Sequence, residues 1–324
     1  MRALLCKELC EPLIVENIAV PSLGPGQVRI RVHGCGVNFA DVLVVQGKYQ
    51  EKPDVPFTPG MESAGEVIEV GEGVTAVSPG ERVIALSDFG AAAEELVTND
   101  YNLVPIPESM DYVTAAGFGV TYGTAHLALT RRGQLKAGET LLVHAAAGGV
   151  GLAAVEIGKA LGATVIGSAG GQEKCAIAKA HGADHVFDYK TKDIRETVKT
   201  LTDGVGADVI FDPVGGDVFD ASLRCIAWEG RLLVIGFASG RIPEIKVGIT
   251  LVKNISLVGV YWGANRRRDL DAFRESFREL SKLYEDGVLK PLTSATYDLA
   301  DASQAYADLA SRKTTGKIVL TTGR

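Results

Sequence analysis

From the first residue to about Pro107, apolar and polar side chains alternate in short runs. In GQVRIRVHGCG, Val28, Ile30 and Val32 stand against Gln27, Arg29 and Arg31, a period of two that predicts a half-buried strand. SAGEVIEVGEG and GERVIALS predict two more, bounded by glycines and by the Pro79-Gly80 turn. Helical spacing is scarce in this stretch, so it predicts a β-rich domain.

After Tyr122 the pattern changes. Short continuous apolar runs (TLLVHA, TVIGSA, HVFDY, ADVIFDPV, RLLVIGFA, ISLVGVYW) are separated by amphipathic stretches of ten or so residues. Buried strands linked by helices of that length build βαβ units and a parallel sheet. Six such strands predict an α/β, doubly wound Rossmann domain over residues 122–263. A long helix, RDLDAFRESFRELSKLYEDG, then leads to a tail ending in the strand GKIVLTT. The tail is too small to fold alone, so residues 264–324 are expected to complete the β-rich domain of residues 1–121.

Composition narrows the choice of partners. A net charge of −7 offers no general surface for polyanions, and no aromatic-basic patch points to RNA. Apolar runs stop well short of the ~20 residues that cross a bilayer, and MRALLCKELCEPL reads as a first strand rather than a signal peptide. Five cysteines without C-x-x-C spacing fit reduced thiols and a cytoplasmic protein. The five histidines show no spacing with Cys or Glu suited to zinc.

The chemistry is concentrated in LLVHAAAGGVGLAAVEIGKALGATVIGSAG. A strand ends in a turn at which Ala147, Gly148 and Gly149 let backbone approach a pyrophosphate. Val150, Ala153, Ala154, Ile157 and Leu161 then recur at helical spacing. The helix N-terminus faces the phosphates, and Gly151 lets the helix pack close to the strand. Ala146 stands where the dinucleotide fingerprint has its first Gly and suits a slightly different turn. At the next strand end Ser168 replaces the carboxylate that NAD-specific sites place on the adenosine ribose. A neutral Gly170-Gly171 pair and Lys174 follow. That set favours a 2′-phosphate and hence NADPH, although Lys174 alone also reads as a solvated helix lysine. ANRRRD, with Arg266 to Arg268, reads as a solvated helix start or as an attractor of an anionic substrate.

GETLLVHAAAGGVGLAAVEIGK, together with GCGVNFADVLVVQGKY and PFTPGMESAGEVIEVGEGV, resembles the zinc-free quinone oxidoreductases. These form the zeta-crystallin branch of the medium-chain dehydrogenase/reductase superfamily. The resemblance extends through KNISLVGVYWG to RKTTGKIVL, essentially the whole chain, with Glu156 departing from the usual Gln. It implies a GroES-like catalytic domain beside the Rossmann domain, a substrate cleft between them, and a homodimer formed through Rossmann sheet edges, with ISLVGVYW as edge strand. It implies no metal, because Asn38 and Met61 stand where zinc-dependent relatives carry Cys and His.

The same resemblance places Gly170, Lys174, Tyr189 and Arg312 at the 2′-phosphate. It places Thr121, Gly236, Phe237 and Val260 beside the nicotinamide. Asn38, Asp41 and Tyr49 would line the reacting face. Asn38 would donate to or accept from the substrate oxygen. Asp41 is an acid or a helix cap, and Tyr49 a proton donor or a wall of the site. The implied activity is NADPH-dependent reduction of quinones or other α,β-unsaturated carbonyls. The rivals are a 2-enoyl-thioester or enone reductase and, in another class, an NADPH-binding structural crystallin or RNA-binding protein.

Overall fold

The structure, a computed structural model, describes residues 1–323 and divides into two compact units. The first comprises Met1–Val120, Asn265–Ser281 and the chain from Pro291 onward. The second comprises Thr121–Ala264 and Lys282–Lys290.

In the first unit the strand Gln27–Val37 is the organiser. Its burial alternates as the sequence pattern predicts, with Val28, Ile30 and Val32 fully buried. It pairs antiparallel with Glu62–Val70 along its length and with Glu95–Asn99 at its start. Glu62–Val70 carries Arg82–Leu86 on its other edge, which in turn pairs with Leu103–Pro105. The C-terminal strand Lys317–Thr321 returns to this sheet, placing Ile318 opposite Val37, and Thr293–Asp298 pairs parallel with it. A residue near the chain end thereby faces one near position 37. From Gly34 to Val37 burial is continuous. At Gly36 a Cβ would stand 2.2 Å from the Ala116 carbonyl oxygen and 2.6 Å from Glu62 Oε1, so glycine is required by the close cover of the backbone.

The second unit holds a six-stranded sheet in the order His185–Asp188, Thr164–Ala169, Thr140–His144, Ala207–Asp212, Ile226–Val234, Ser256–Gly259. Every pairing is parallel. The order reverses direction between Thr140–His144 and Ala207–Asp212, the switch point at which doubly wound sheets open a crevice for ligand. Leu142, Ile166, Phe187, Ile210 and Leu232 make the continuous apolar core that a sheet covered on both faces requires. Ser256–Gly259, within ISLVGVYW, is an edge strand.

One boundary differs from the sequence expectation: residues 282–290 cluster with the second unit rather than the first. Glu156 supplies a physical reason. It is buried on the helix Gly149–Ala160, and its carboxylate accepts from Lys290 N at 3.0 Å and Tyr122 Oη at 2.8 Å. It also meets His181 Nδ1 at 2.6 Å. The departure from Gln at this position therefore ties the 282–290 segment to the sheet's helices and is a structural anchor.

Candidate active site

In the first unit the strand end Val37 leads directly into the helix Phe39–Val45, with Asn38 as its N-cap. Asp41 is the third residue of that helix, and its Oδ2 accepts from Asn38 N at 2.8 Å, so the capping role is present. The Asn38 side chain is committed at both ends. Its Oδ1 accepts from Lys317 Nζ at 2.8 Å, while Nδ2 donates to Glu62 Oε1 at 2.9 Å and to Gly36 O at 3.3 Å. Both amide N–H bonds are thus used inside the unit. The residue expected to donate to or accept from a substrate oxygen holds this network together.

Lys317 completes that network and was missed by sequence reasoning. Its ammonium donates to Glu62 Oε1 at 2.7 Å, to Asn38 Oδ1 and to Val37 O at 3.0 Å, so all three protons have acceptors. Glu62 is fully buried, and its other oxygen accepts from Val120 N at 2.8 Å. A buried ion pair is tolerated only when its remaining hydrogen-bonding capacity is filled, as it is here. Met61, by contrast, packs into the apolar core.

Asp41 stands beside this satisfied pair. Burial pushes its carboxyl up to about 7, against the lowering effects of the Asn38 N–H and of Lys317. Tyr49 is half-buried against the same core. Burial first, then the carboxylates of Asp41, Glu51 and Asp88, raise its phenol above the ordinary value, with Arg266 opposing. Its O–H is therefore kept through the physiological range. The arginine run, read from sequence as a solvated helix start or an attractor of anions, ends the helix Trp262–Arg268 with Arg267 and Arg268 exposed. Arg266 is buried and pairs with Asp88, and Arg267 bridges Asp88 at 2.6 Å and Glu51 at 3.1 Å.

In the second unit the glycine-rich turn explains the missing first Gly. Ala145, one position earlier, takes the left-handed conformation with φ 52°. Ala146 can then keep its methyl, which nests against Gly167, where a Cβ would be 3.1 Å away. Gly148 caps the helix that starts at Gly149, followed by Val150. At Gly151 a Cβ would lie 2.2 Å from Ala145 O, so any side chain would push helix from strand. The first-turn N–H groups of such a helix have no partner within it and make an anion seat. Ala147 packs with Ala169 and Cys175 below the loop.

Ser168 is the last residue but one of the strand Thr164–Ala169. It is buried, and its Oγ is 2.9 Å from His144 Nδ1, while His144 Nε2 meets Ser222 Oγ at 2.8 Å. Its hydroxyl braces His144 in the core at this strand end. His144 is accordingly a packing residue, with its pKa lowered by burial. The surface at this strand end is Gly170, over which Tyr189 lies. A Cβ there would be 2.7 Å from Tyr189 Oη.

Lys174 follows in the helix Gln172–Ala180. Gly236 and Phe237 follow the strand Ile226–Val234, and Phe237 lies 2.9 Å from where a Gly215 Cβ would be. Val260 N donates to Val234 O at 3.1 Å, and Thr121 is buried at the start of this unit. Arg312 belongs to the first unit, just past the helix Ala302–Ala310. Among the described residues no three of His, Cys, Asp and Glu gather into a metal-sized cluster.

Comparison with known proteins agrees with this architecture. Residues 24–135 match the family described as alcohol dehydrogenase GroES-like domain, and residues 149–285 match zinc-binding dehydrogenase. The chain is 46% identical over 325 residues to a quinone oxidoreductase-like protein 2 homolog of Nematostella vectensis, covering 99% of this chain and 89% of the relative. It is 44% identical to the mouse quinone oxidoreductase-like protein 2, covering 98% and 91%. Among solved structures, the Escherichia coli quinone oxidoreductase complexed with NADPH superposes with a TM-score of 0.93 at 29% identity, covering 99% of this chain and all of that one. A mycobacterial protein complexed with NADPH gives 0.94 at 33%, with the same coverage. The chain belongs to the medium-chain dehydrogenase/reductase superfamily, among its quinone-oxidoreductase-type members.

Proposed function

We propose that this protein binds NADPH and reduces quinones or other electron-poor α,β-unsaturated carbonyls without a metal ion. The observation that carries the reading is the second unit's cradle. Gly148, Gly149 and Gly151 leave a helix entry largely bare of side chains, and Gly170, Tyr189 and Lys174, with Glu173 beside the lysine, stand where NAD-specific sites hold a carboxylate on the ribose. The residues fit the cofactor. Gly148, Gly149, Val150 and Gly151 would receive the pyrophosphate, and Lys174 with Tyr189 the 2′-phosphate. Thr121, Gly236, Phe237 and Val260 would border the nicotinamide. When bound, the cofactor supplies the hydride.

The first unit's part is orientation and protonation. Lys317 supplies the positive charge that buried Glu62 needs, and the pair fixes Asn38 and the helix entry to Asp41. Tyr49 is the proton donor in this reading, supported by a phenol that burial and three carboxylates keep protonated. An enone needs a proton at the carbon beside the reduced one, so a positioned O–H assists. A quinone's reduced oxygens can take protons from water. The related NADPH complexes support the cofactor, and the relatives' names support the quinone.

The homodimer and the cytoplasmic setting are part of the same proposal. Free thiols at all five cysteines suit a reducing compartment. The edge strand Ser256–Gly259 follows a helix, Gly248–Lys253, on which Leu251 and Val252 are largely exposed. An unpaired strand edge with apolar neighbours suits pairing with a second copy.

The test is cofactor consumption with a panel of quinones and enones, using wild type and Tyr49→Phe. Wild type should consume NADPH with several quinones. Tyr49→Phe should lower enone rates by ~10²-fold or more and quinone rates far less. No consumption with any acceptor would remove the enzymatic reading. Equal small losses on both classes would remove Tyr49 as donor.

A further inference from the structure

The strands Thr164–Ala169 and His185–Asp188 run parallel with Ala169 opposite Asp188, so the turns after them lie side by side. Asp188 fastens the two turns together. Its Oδ1 accepts from Gly171 N at 3.0 Å and from Lys190 N at 2.9 Å, and Tyr189 N donates to Ala169 O at 3.1 Å. The carboxylate is buried and its Oδ1 is spent on two backbone donors, so it acts as a clamp. The clamp sets where the next two side chains go. Tyr189 Oη and Lys190 Cε lie 2.7 Å and 3.2 Å from the place a Gly170 Cβ would take. Both therefore cross the bare backbone of Gly170.

Lys174 is half-buried in the first turn of the helix Gln172–Ala180, which starts two residues after Gly170. Burial and then the Lys190 ammonium hold its pKa below the ordinary lysine value, so the two charges sense each other. Lys190 over a bare glycine, beside the Tyr189 phenol and with Lys174 near enough to sense its charge, offers several donors to one small, doubly charged anion.

We propose that Lys190 is a second phosphate-binding lysine, positioned by Asp188, and that the 2′-phosphate of the cofactor is gripped between Lys190 and Lys174 across Gly170. The proposal rests on the NADPH reading and adds to it a specificity-determining residue and its positioning partner. Selectivity for the phosphorylated cofactor would then be shared between two lysines, so that loss of either leaves part of it.

Binding, measured by calorimetry without turnover, tests this with NADPH, NADH, adenosine 2′,5′-bisphosphate and adenosine 5′-monophosphate. In the wild type the bisphosphate should bind more tightly than the monophosphate. Lys190→Ala should weaken NADPH and the bisphosphate by ~10-fold, the scale of one charge-assisted contact, and leave NADH and the monophosphate unchanged. Lys190→Arg should keep most of the affinity. Asp188→Asn, which still accepts both N–H bonds, should stay near wild type, whereas Asp188→Ala should resemble Lys190→Ala in selectivity. Melting curves would confirm that each variant is folded. Lys190→Ala binding NADPH within ~2-fold of wild type would overturn the role of Lys190 while leaving the cofactor reading intact. A wild type with no preference for the 2′-phosphate would overturn both.

Discussion

The first unit gathers four polar side chains from distant stretches of chain into a site closed to solvent, whereas the second builds its site from contiguous backbone. Asn38, Asp41, Glu62 and Lys317 are all buried, and their meeting depends on the last strand pairing with the strand that ends at Val37. The cradle proposed for phosphate in the second unit depends on the contiguous stretch Ala145 to Gly151 and on the absence of a side chain at Gly148, Gly149 and Gly151. The difference is one of risk. A buried ion pair fails expensively if one partner is lost, because the other charge is stranded. A backbone cradle fails when a single atom is added.

Three substitutions separate these modes, in descending order of expected effect. Lys317→Met leaves Glu62 buried and unpaired and should lower the unfolding free energy by about 3–5 kcal/mol in denaturant titrations. Neutralising both partners, with Glu62→Gln added, should recover part of that loss. Gly151→Ala adds one methyl against the Ala145 carbonyl and should destabilise by about 1–3 kcal/mol. Its larger consequence should be weakened NADPH binding, which Lys317→Met protein that remains folded should retain.

Asp41→Asn should act only through pH. The native carboxyl titrates at about 7 and the unfolded one near its ordinary value of 3.8, so between these the native state binds more protons. Wild-type stability therefore falls as pH rises through that window. The variant lacks this slope, so its melting temperature relative to wild type should rise between pH ~5 and pH ~8. A constant difference across that range would remove Asp41 as a buried, titrating acid.

The contrast also explains what could be read from the chain. The six parallel strands, the helix from Gly149 and the need for glycine at position 151 are local properties, carried by the spacing of apolar residues and by glycine chemistry. Ser168 was legible as a missing acid, but not as a brace for His144, because its partner lies 24 residues away on a neighbouring strand. Lys317 left no signal, because a lysine in GKIVLTT is buried only through pairing with a strand about 280 positions earlier. Glu156 was visible as a departure from Gln, yet its role needed Lys290 and His181 in place. In the arginine run the burial of Arg266 was illegible for the same reason: the acidic partners of Arg266 and Arg267, Asp88 and Glu51, come from far earlier in the chain.

We propose selection of a phosphorylated nicotinamide cofactor by the second unit's cradle, for delivery to an acceptor. It is tested most directly by kcat/KM for NADPH and for NADH, measured on the same protein with one quinone under identical salt. NADPH should be favoured by ~10-fold or more, as at least one charge-assisted phosphate contact requires. Equal values, or a preference for NADH, would contradict it.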